Sequence, residues 1–152
     1  MLVVRRAIES DIDAIVALEK HSFSVPWTEK SVRDTFLEER AIVLVAENDG
    51  KFLGYCIVYS VFDEAEIARI AVEPSCRRQG VGQELLNQIK NICHEKRILY
   101  LMLEVRESNE VAREFYCAQG FGVDGIRKKY YQCPEEDAIL MSMMIPTVPT
   151  RN

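Results

Sequence analysis

The sequence predicts an α/β fold of the α+β kind: one domain with a mixed, mostly antiparallel sheet of about seven strands flanked by four helices, in the order β-α-α-β-β-β-α-β-α-β-β. Three observations lead there. A chain of 152 residues, 48% apolar and 28% charged, has the length and composition of one globular unit. Three strand-like runs separated by tight turns follow one another in the first half. After them, helical stripes alternate with strand-like runs, which calls for helices packed on a sheet.

Leu2 to Arg5 reads as a short strand. Ser10 with a carboxylate at Asp13 resembles a capped helix start, and Ile12, Ile15, Val16 and Leu18 recur at helical spacing. Pro26-Trp27-Thr28 breaks that helix and caps a second, expected to run to about Glu39 with Val32 and Phe36 inward. Ala41 to Ala46 is a β-rich run, and Asn48-Asp49-Gly50 is a hairpin turn whose central residues tolerate positive φ. A strand from Lys51 to Phe62, a turn around Asp63-Glu64 and a strand from Glu66 to Val72 complete three antiparallel strands. Pro74 ends the last of them. A helix begins near Gly80 with Val81, Leu85, Leu86, Ile89, Ile92 and Cys93 on one face, and Ile98 to Val105 is the next strand. Ser108 is the expected N-cap of a helix reaching about Gln119, and Gly120 stands where a left-handed residue closes it. Closing strands over Gly122 to Tyr130 and Ala138 to Met144 leave residues 1–146 as the domain and 147–152 as an unstructured tail.

Composition removes several classes of function. The five cysteines are odd in number and form no close ligand pair, so neither a disulfide framework nor a cysteine metal site is expected, and His21 and His94, on helices, have no carboxylate or cysteine partner in the pattern. Apolar runs are far shorter than the 18 or so residues that cross a bilayer, and Met1-Leu-Val-Val-Arg-Arg6 has the wrong charge order for a signal peptide. A cytoplasmic protein, monomeric or weakly dimeric, with no membrane partner is expected. A net charge of −5 argues against direct nucleic-acid binding, but it averages unlike parts. Residues 1–67 carry 7 basic and 13 acidic side chains, and residues 68–132 carry 11 and 8. Two ligands of opposite charge would suit such a chain.

The chemistry is densest in Ile70-Ala-Val-Glu-Pro-Ser-Cys-Arg-Arg-Gln-Gly-Val-Gly82, a strand followed by a basic, glycine-rich loop and a helix start. Free N–H groups and the positive end of the helix dipole make that start a cradle for phosphate, and the glycines let the backbone come close. A P-loop would need Gly-Lys-Ser/Thr, and a dinucleotide fingerprint a third glycine in a first βαβ unit; both are missing.

Arg77-Arg-Gln-Gly80-Val-Gly82, placed after three antiparallel strands, resembles the acyl-coenzyme A signature of the GNAT acetyltransferase superfamily. Leu103-Glu-Val-Arg-Glu-Ser-Asn109, Phe115-Tyr116, Gly120-Phe121, Pro26-Trp27 and Arg127-Lys-Lys-Tyr-Tyr131 extend the likeness from Arg6 to about Met143, and it is closest to the bacterial ribosomal-protein-alanine N-acetyltransferases. The resemblance implies acetyl-CoA as cosubstrate, no metal, and as acceptor a protein's N-terminal peptide, a ribosomal protein starting with alanine.

It also assigns residues. Arg77, Arg78, Gln79, Gly80, Val81, Gly82 and Gln83 would hold the phosphates, the backbone of Ile70, Ala71 and Val72 the pantetheine amides, Asn109 the pantetheine or the water chain, and Tyr116 the acetyl end. Glu104 would be the general base, its plainer alternative being an ion pair with Arg106 or Arg69, and Tyr116 the general acid, its alternative packing beside Phe115. Asn109 has helix capping as its alternative. Trp27, Tyr130 and Tyr131 with the Asp63-Glu64 turn would line the acceptor groove. An α-amine, with a pKa of about 7.7–8.0 against about 10.4 for lysine, is the easier nucleophile near neutrality. Two further functions share these features: acetylation of a small amine such as a polyamine, an amino acid or an antibiotic, and a catalytically weak CoA-binding adaptor.

Overall fold

The computed structural model describes residues 1–146; the tail expected over 147–152 lies outside the described residues. The elements run β1 (Leu2–Arg6), α1 (Ile12–Ser22), α2 (Glu29–Thr35), β2 (Ala41–Asn48), β3 (Lys51–Val61), β4 (Glu64–Val72), α3 (Val81–Glu95), β5 (Tyr100–Arg106), α4 (Glu110–Ala118), β6 (Gly122–Tyr131) and β7 (Glu136–Met144). Seven strands form one sheet in the order β1-β2-β3-β4-β5-β7-β6. Only β4 and β5 are parallel, because the α3 crossover joins them; every other neighbouring pair is antiparallel.

Alternation along the strands splits the core into two layers. Leu44, Cys56, Leu101, Leu103 and Met141 face α3 and α4, where Leu85, Leu86, Ile89 and Tyr116 pack. Val43, Val45, Tyr55 and Ile57 face α1 and α2, against Ile12, Ile15, Leu18 and Val32. The sheet therefore has a helix pair packed on each face.

Element type and order are as the sequence predicts, and the differences lie at the ends. A short 3-10 turn over Glu9–Asp11 precedes α1, and Asp11 rather than Ser10 accepts a hydrogen bond there, from the Ile8 N–H at 2.7 Å. The α2 helix stops at Thr35, not near Glu39, and continues as turns. The β3–β4 turn sits one residue early, on Phe62-Asp63 with Phe62 at φ 54°. The α4 cap is Asn109, whose Oδ1 accepts from the Ala112 N–H, and not Ser108. Asp49 (φ 51°), Gly50 (φ 80°) and Gly120 (φ 105°) take the left-handed conformations expected of them.

The first strand is pinned by Arg5, whose guanidinium holds Asp11 in a fork at 2.8 and 2.9 Å and also meets Glu47 at 3.0 Å. The Arg5 hydrogen bonds hold the Asp11 carboxyl below its ordinary value of 3.8, so its contribution to stability is full above that pH and is lost as pH falls through the lower folded value. Asp11→Asn is expected to lose about 2 kcal/mol at pH 7 and less than that at pH 3, measured by urea unfolding at both. Equal losses at the two pH values would mean that the pair contributes no charge-dependent stability.

Candidate active site

A cleft of about 1060 Å³ opens where β4 and β5 part. Their ladder holds only from Glu64↔Tyr100 to Ile67↔Leu103, although β4 continues to Val72 and β5 to Arg106. The cause is local. Ile57 pairs with Arg69 and Val58 with Ile67, so Ala68 is an extra residue that bends β4 where the ladder with β5 ends. The β4 backbone beyond the bend keeps its pairing with β3 on one edge, through Ala71 and Val72, and has no strand on the other. Such an edge is ready to pair with amides of a ligand.

Glu104 and Tyr116 stand on the walls of this cleft. The side chain of Glu104 is 17% exposed; its Oε1 lies 3.8 Å from Arg127 Nη2, and its Oε2 is buried with no hydrogen-bond partner. Neither arginine considered from the sequence pairs with it. Arg69 lies against Glu19 and Arg106 against Glu136, at 3.4 and 3.1 Å. Tyr116 is buried edge-on between Phe115 and Phe121, with ring centroids 5.4 and 5.6 Å away, and burial raises its phenol well above the usual tyrosine value. It is thus a protonated hydroxyl at every pH near neutrality.

Beyond the end of β4, Arg77, Arg78, Gln79 and Gly80 form an exposed loop into α3. Gly80 has φ 83°, and a Cβ built on it meets nothing within 4 Å, so its glycine is needed for the backbone conformation and the space beside it is open. The N–H groups of Val81, Gly82 and Gln83 belong to the first turn of α3, where no intrahelical acceptor exists. A Cβ on Gly82 would touch the Phe115 ring at 3.5 Å, an ordinary contact. Gln83 is occupied by Asn87 and Gln119 at 3.0 and 2.7 Å.

Away from the α3 loop the cleft has two walls. One is the loop from Ser22 to Thr28; the other is the end of β6 with Tyr130 and Tyr131. Glu19, fully buried, organises the first: it accepts from the Trp27 N–H at 2.8 Å and from the Tyr55 hydroxyl, and lies 3.4 Å from Arg69 Nε. Arg69 in turn sits over the Phe23 and Trp27 rings, at 4.2 and 5.2 Å, and donates to the Val25 carbonyl. Arg106 serves the second wall, donating to the Gln132 and Pro134 carbonyls and lying 4.6 Å from the Tyr131 ring, and it reaches Ser24 Oγ of the first at 3.2 Å. Burial pushes the Tyr131 hydroxyl up to about 12.

Of the residues expected from the sequence, Ile70, Glu104, Asn109, Tyr116, Trp27, Tyr130 and Tyr131 surround this one cleft. Ala71, Val72 and the loop from Arg77 to Gln83 follow on from it along the chain without lining it. Asp63 and Glu64 are not brought there. Asp63 lies in the turn before β4, where its carbonyl accepts from Leu99 and Tyr100, and Glu64 begins the strand at that far end; Glu66, two residues on, is the β4 carboxylate that faces the cleft. Asn109 spends its Oδ1 on the cap and still borders the cleft. The Glu19 and Arg106 contacts had no signal in the sequence, because most of their partners lie on other elements, from 26 to 82 residues away, as with Glu19 and Tyr55 or Arg106 and Ser24. Among the described residues no group of three His, Cys, Asp or Glu is placed to hold a metal, and no helix is long and apolar enough to cross a membrane.

Glu19→Gln keeps the shape but leaves Arg69 without its counter-charge, and is expected to cost about 3 kcal/mol of stability. Thermal unfolding with a loss under about 0.5 kcal/mol would show that the pair does not hold the loop.

Residues 12–121 match the acetyltransferase (GNAT) family. The [ribosomal protein bS18]-alanine N-acetyltransferase of Escherichia coli K12 is 34% identical over 138 residues, covering 90% of this chain and 93% of that protein. A Bacillus subtilis protein that carries the same name provisionally is 41% identical over 143 residues, covering 93% and 95%. The crystal structure of the ribosomal-protein-S18-alanine N-acetyltransferase from Escherichia coli superposes with a TM-score of 0.89 at 31% identity, covering 100% and 99% of the two chains.

Proposed function

The chain belongs to the acetyltransferase (GNAT) family, and from that premise we propose that it transfers the acetyl group of acetyl-CoA to the N-terminal α-amine of a protein, the acceptor being an alanine-starting ribosomal protein. The observation that carries this reading is the cleft between β4 and β5, with a buried, unpartnered carboxylate oxygen of Glu104 and the protonated Tyr116 hydroxyl on its walls and an open helix N-terminus beyond its β4 side.

The residues fit acetyl-CoA, which when bound supplies the acetyl group as an activated thioester. Arg77, Arg78 and Gln79 with the N–H groups around Gly80, Val81, Gly82 and Gln83 hold its phosphates, the positively charged loop and the helix dipole acting together. The free edge formed by Ile70, Ala71 and Val72 pairs with its amides, and Asn109 offers the Nδ2 group that capping leaves over. On the acceptor side, Trp27, Tyr130 and Tyr131 hold the peptide. Glu104 accepts the proton that the α-amine must lose to become nucleophilic, through a buried Oε2 that makes no hydrogen bond in the free protein. Tyr116 donates its hydroxyl proton towards the departing sulfur, which needs no prior ionisation of the phenol.

Purified protein incubated with acetyl-CoA and an Ala-starting peptide is expected to add one acetyl group at the N-terminus, located by mass spectrometry. A peptide with a blocked terminus and an internal lysine is the control. Preference by orders of magnitude in kcat/KM for a polyamine, amino acid or antibiotic amine in the same assay would overturn the acceptor.

A further inference from the structure

Five charged side chains on or beside the acceptor half of the cleft divide by their partners. Arg69 is held by the buried Glu19, and Arg106 by Glu136 and two carbonyls, so neither is free to balance charge in the cleft. What remains is two carboxylates and one cation. Glu66 on β4 is in register with Met102 of β5, and Glu104 lies two residues further along β5, on the same face. Strand spacing and rise put the two Cα atoms roughly 8 Å apart. Arg127, more than half exposed, reaches in from the edge strand β6, lies over the Tyr130 ring at 5.0 Å and meets Glu104 at the long distance of 3.8 Å. Burial and the charge of Glu104 raise the Glu66 carboxyl above its usual range, with Arg127 acting against them.

We propose that Glu66 is a specificity-determining residue: together with Glu104 it selects acceptors that carry a positively charged side chain next to the reacting α-amine, the place that the Arg127 guanidinium takes in the free protein. The inference rests on the reading of the chain as an N-terminal acetyltransferase. Its physical ground is a charge count. The α-amine must be neutral to attack, so once Glu104 has its proton the terminus brings no charge to set against Glu66. A lysine or arginine in the second position does. In an extended peptide its head lies several ångströms from the terminal nitrogen, a span comparable with the separation of the two carboxylates.

The test uses the full chain, acetyl-CoA and three peptides that differ only in the second residue, Ala-Arg, Ala-Gln and Ala-Glu. The wild-type protein is expected to prefer Ala-Arg over Ala-Gln by about tenfold in kcat/KM, carried mainly by KM, and to disfavour Ala-Glu. Glu66→Gln brings the Arg-to-Gln ratio within about twofold, and Glu66→Lys inverts the order towards Ala-Glu, a gain that a misfolded variant could not produce. Arg127→Ala, by vacating the place, lowers the KM for Ala-Arg. The same ratio in wild type, Glu66→Gln and Glu66→Lys overturns the assignment of Glu66 while the acetyltransferase reading stands. No acetylation of any of the three peptides overturns both.

Discussion

Glu104→Gln is expected to lower kcat/KM on an N-terminal peptide by about a hundredfold to ten-thousandfold, the range that a positioned general base contributes. Glutamine keeps the shape and can still accept a hydrogen bond, so the cleft and its walls remain, but it cannot take a proton. Below the amine's pKa of about 8, wild-type rates should fall less steeply than the variant's, because Glu104 takes up the proton of the bound amine. The variant should recover part of its activity at high pH, where the amine arrives already neutral. Steady-state rates from pH 6 to 9.5 decide it; a variant with wild-type turnover at pH 7 returns Glu104 to the role of a wall carboxylate paired with Arg127.

Tyr116→Phe is the second large effect, about a hundredfold in kcat with the KM for acetyl-CoA little changed. Because burial raises the Tyr116 phenol, its proton is not lost below pH 9, and the wild-type profile should show no alkaline fall in that range. Phenylalanine removes the donor and leaves the edge-on contacts to Phe115 and Phe121. The variant's profile should therefore lie lower with the same shape. A kcat within threefold of wild type would show that the tyrosine only packs.

Charge shows how a correct sequence observation needed the fold to become specific. The acidic excess of residues 1–67 is real, and it suited a face turned towards a cationic acceptor. In the structure most of it is elsewhere. Asp11 and Glu47 hold Arg5, Glu9 meets Arg33, Asp34 meets Lys30, and Glu19 is buried beneath the loop from Ser22 to Thr28. The carboxylates that face the cleft are Glu66 and Glu104, one from each part of the chain. The basic excess is likewise divided, Arg77 and Arg78 lying exposed at the α3 start while Arg69 and Arg106 brace the two walls of the cleft.

The sequence by itself determined the order and type of every strand and α-helix, since apolar periods of two and 3.6 and the turn chemistry of Asp49-Gly50 and Gly120 are local properties. It also determined the loop from Arg77 to Gly82, because a helix start needs only its own residues, and the motif around Glu104 and Tyr116 could be read from a contiguous stretch. Element ends were set by the tertiary structure, where the Asn109 side chain, not Ser108, won the cap and a carboxylate at Asp11 displaced the expected Ser10. Only the fold decided which charge meets which. Glu104 was left without a strong partner because Glu19 and Glu136 had claimed the two arginines, Arg69 and Arg106, that the sequence offered it. The cleft itself depends on one extra residue, Ala68, which parts two parallel strands that the chain joins only through a helix. Periodicity reports which face of a strand is buried, and strand separation depends on register between segments 36 residues apart, which no local pattern encodes.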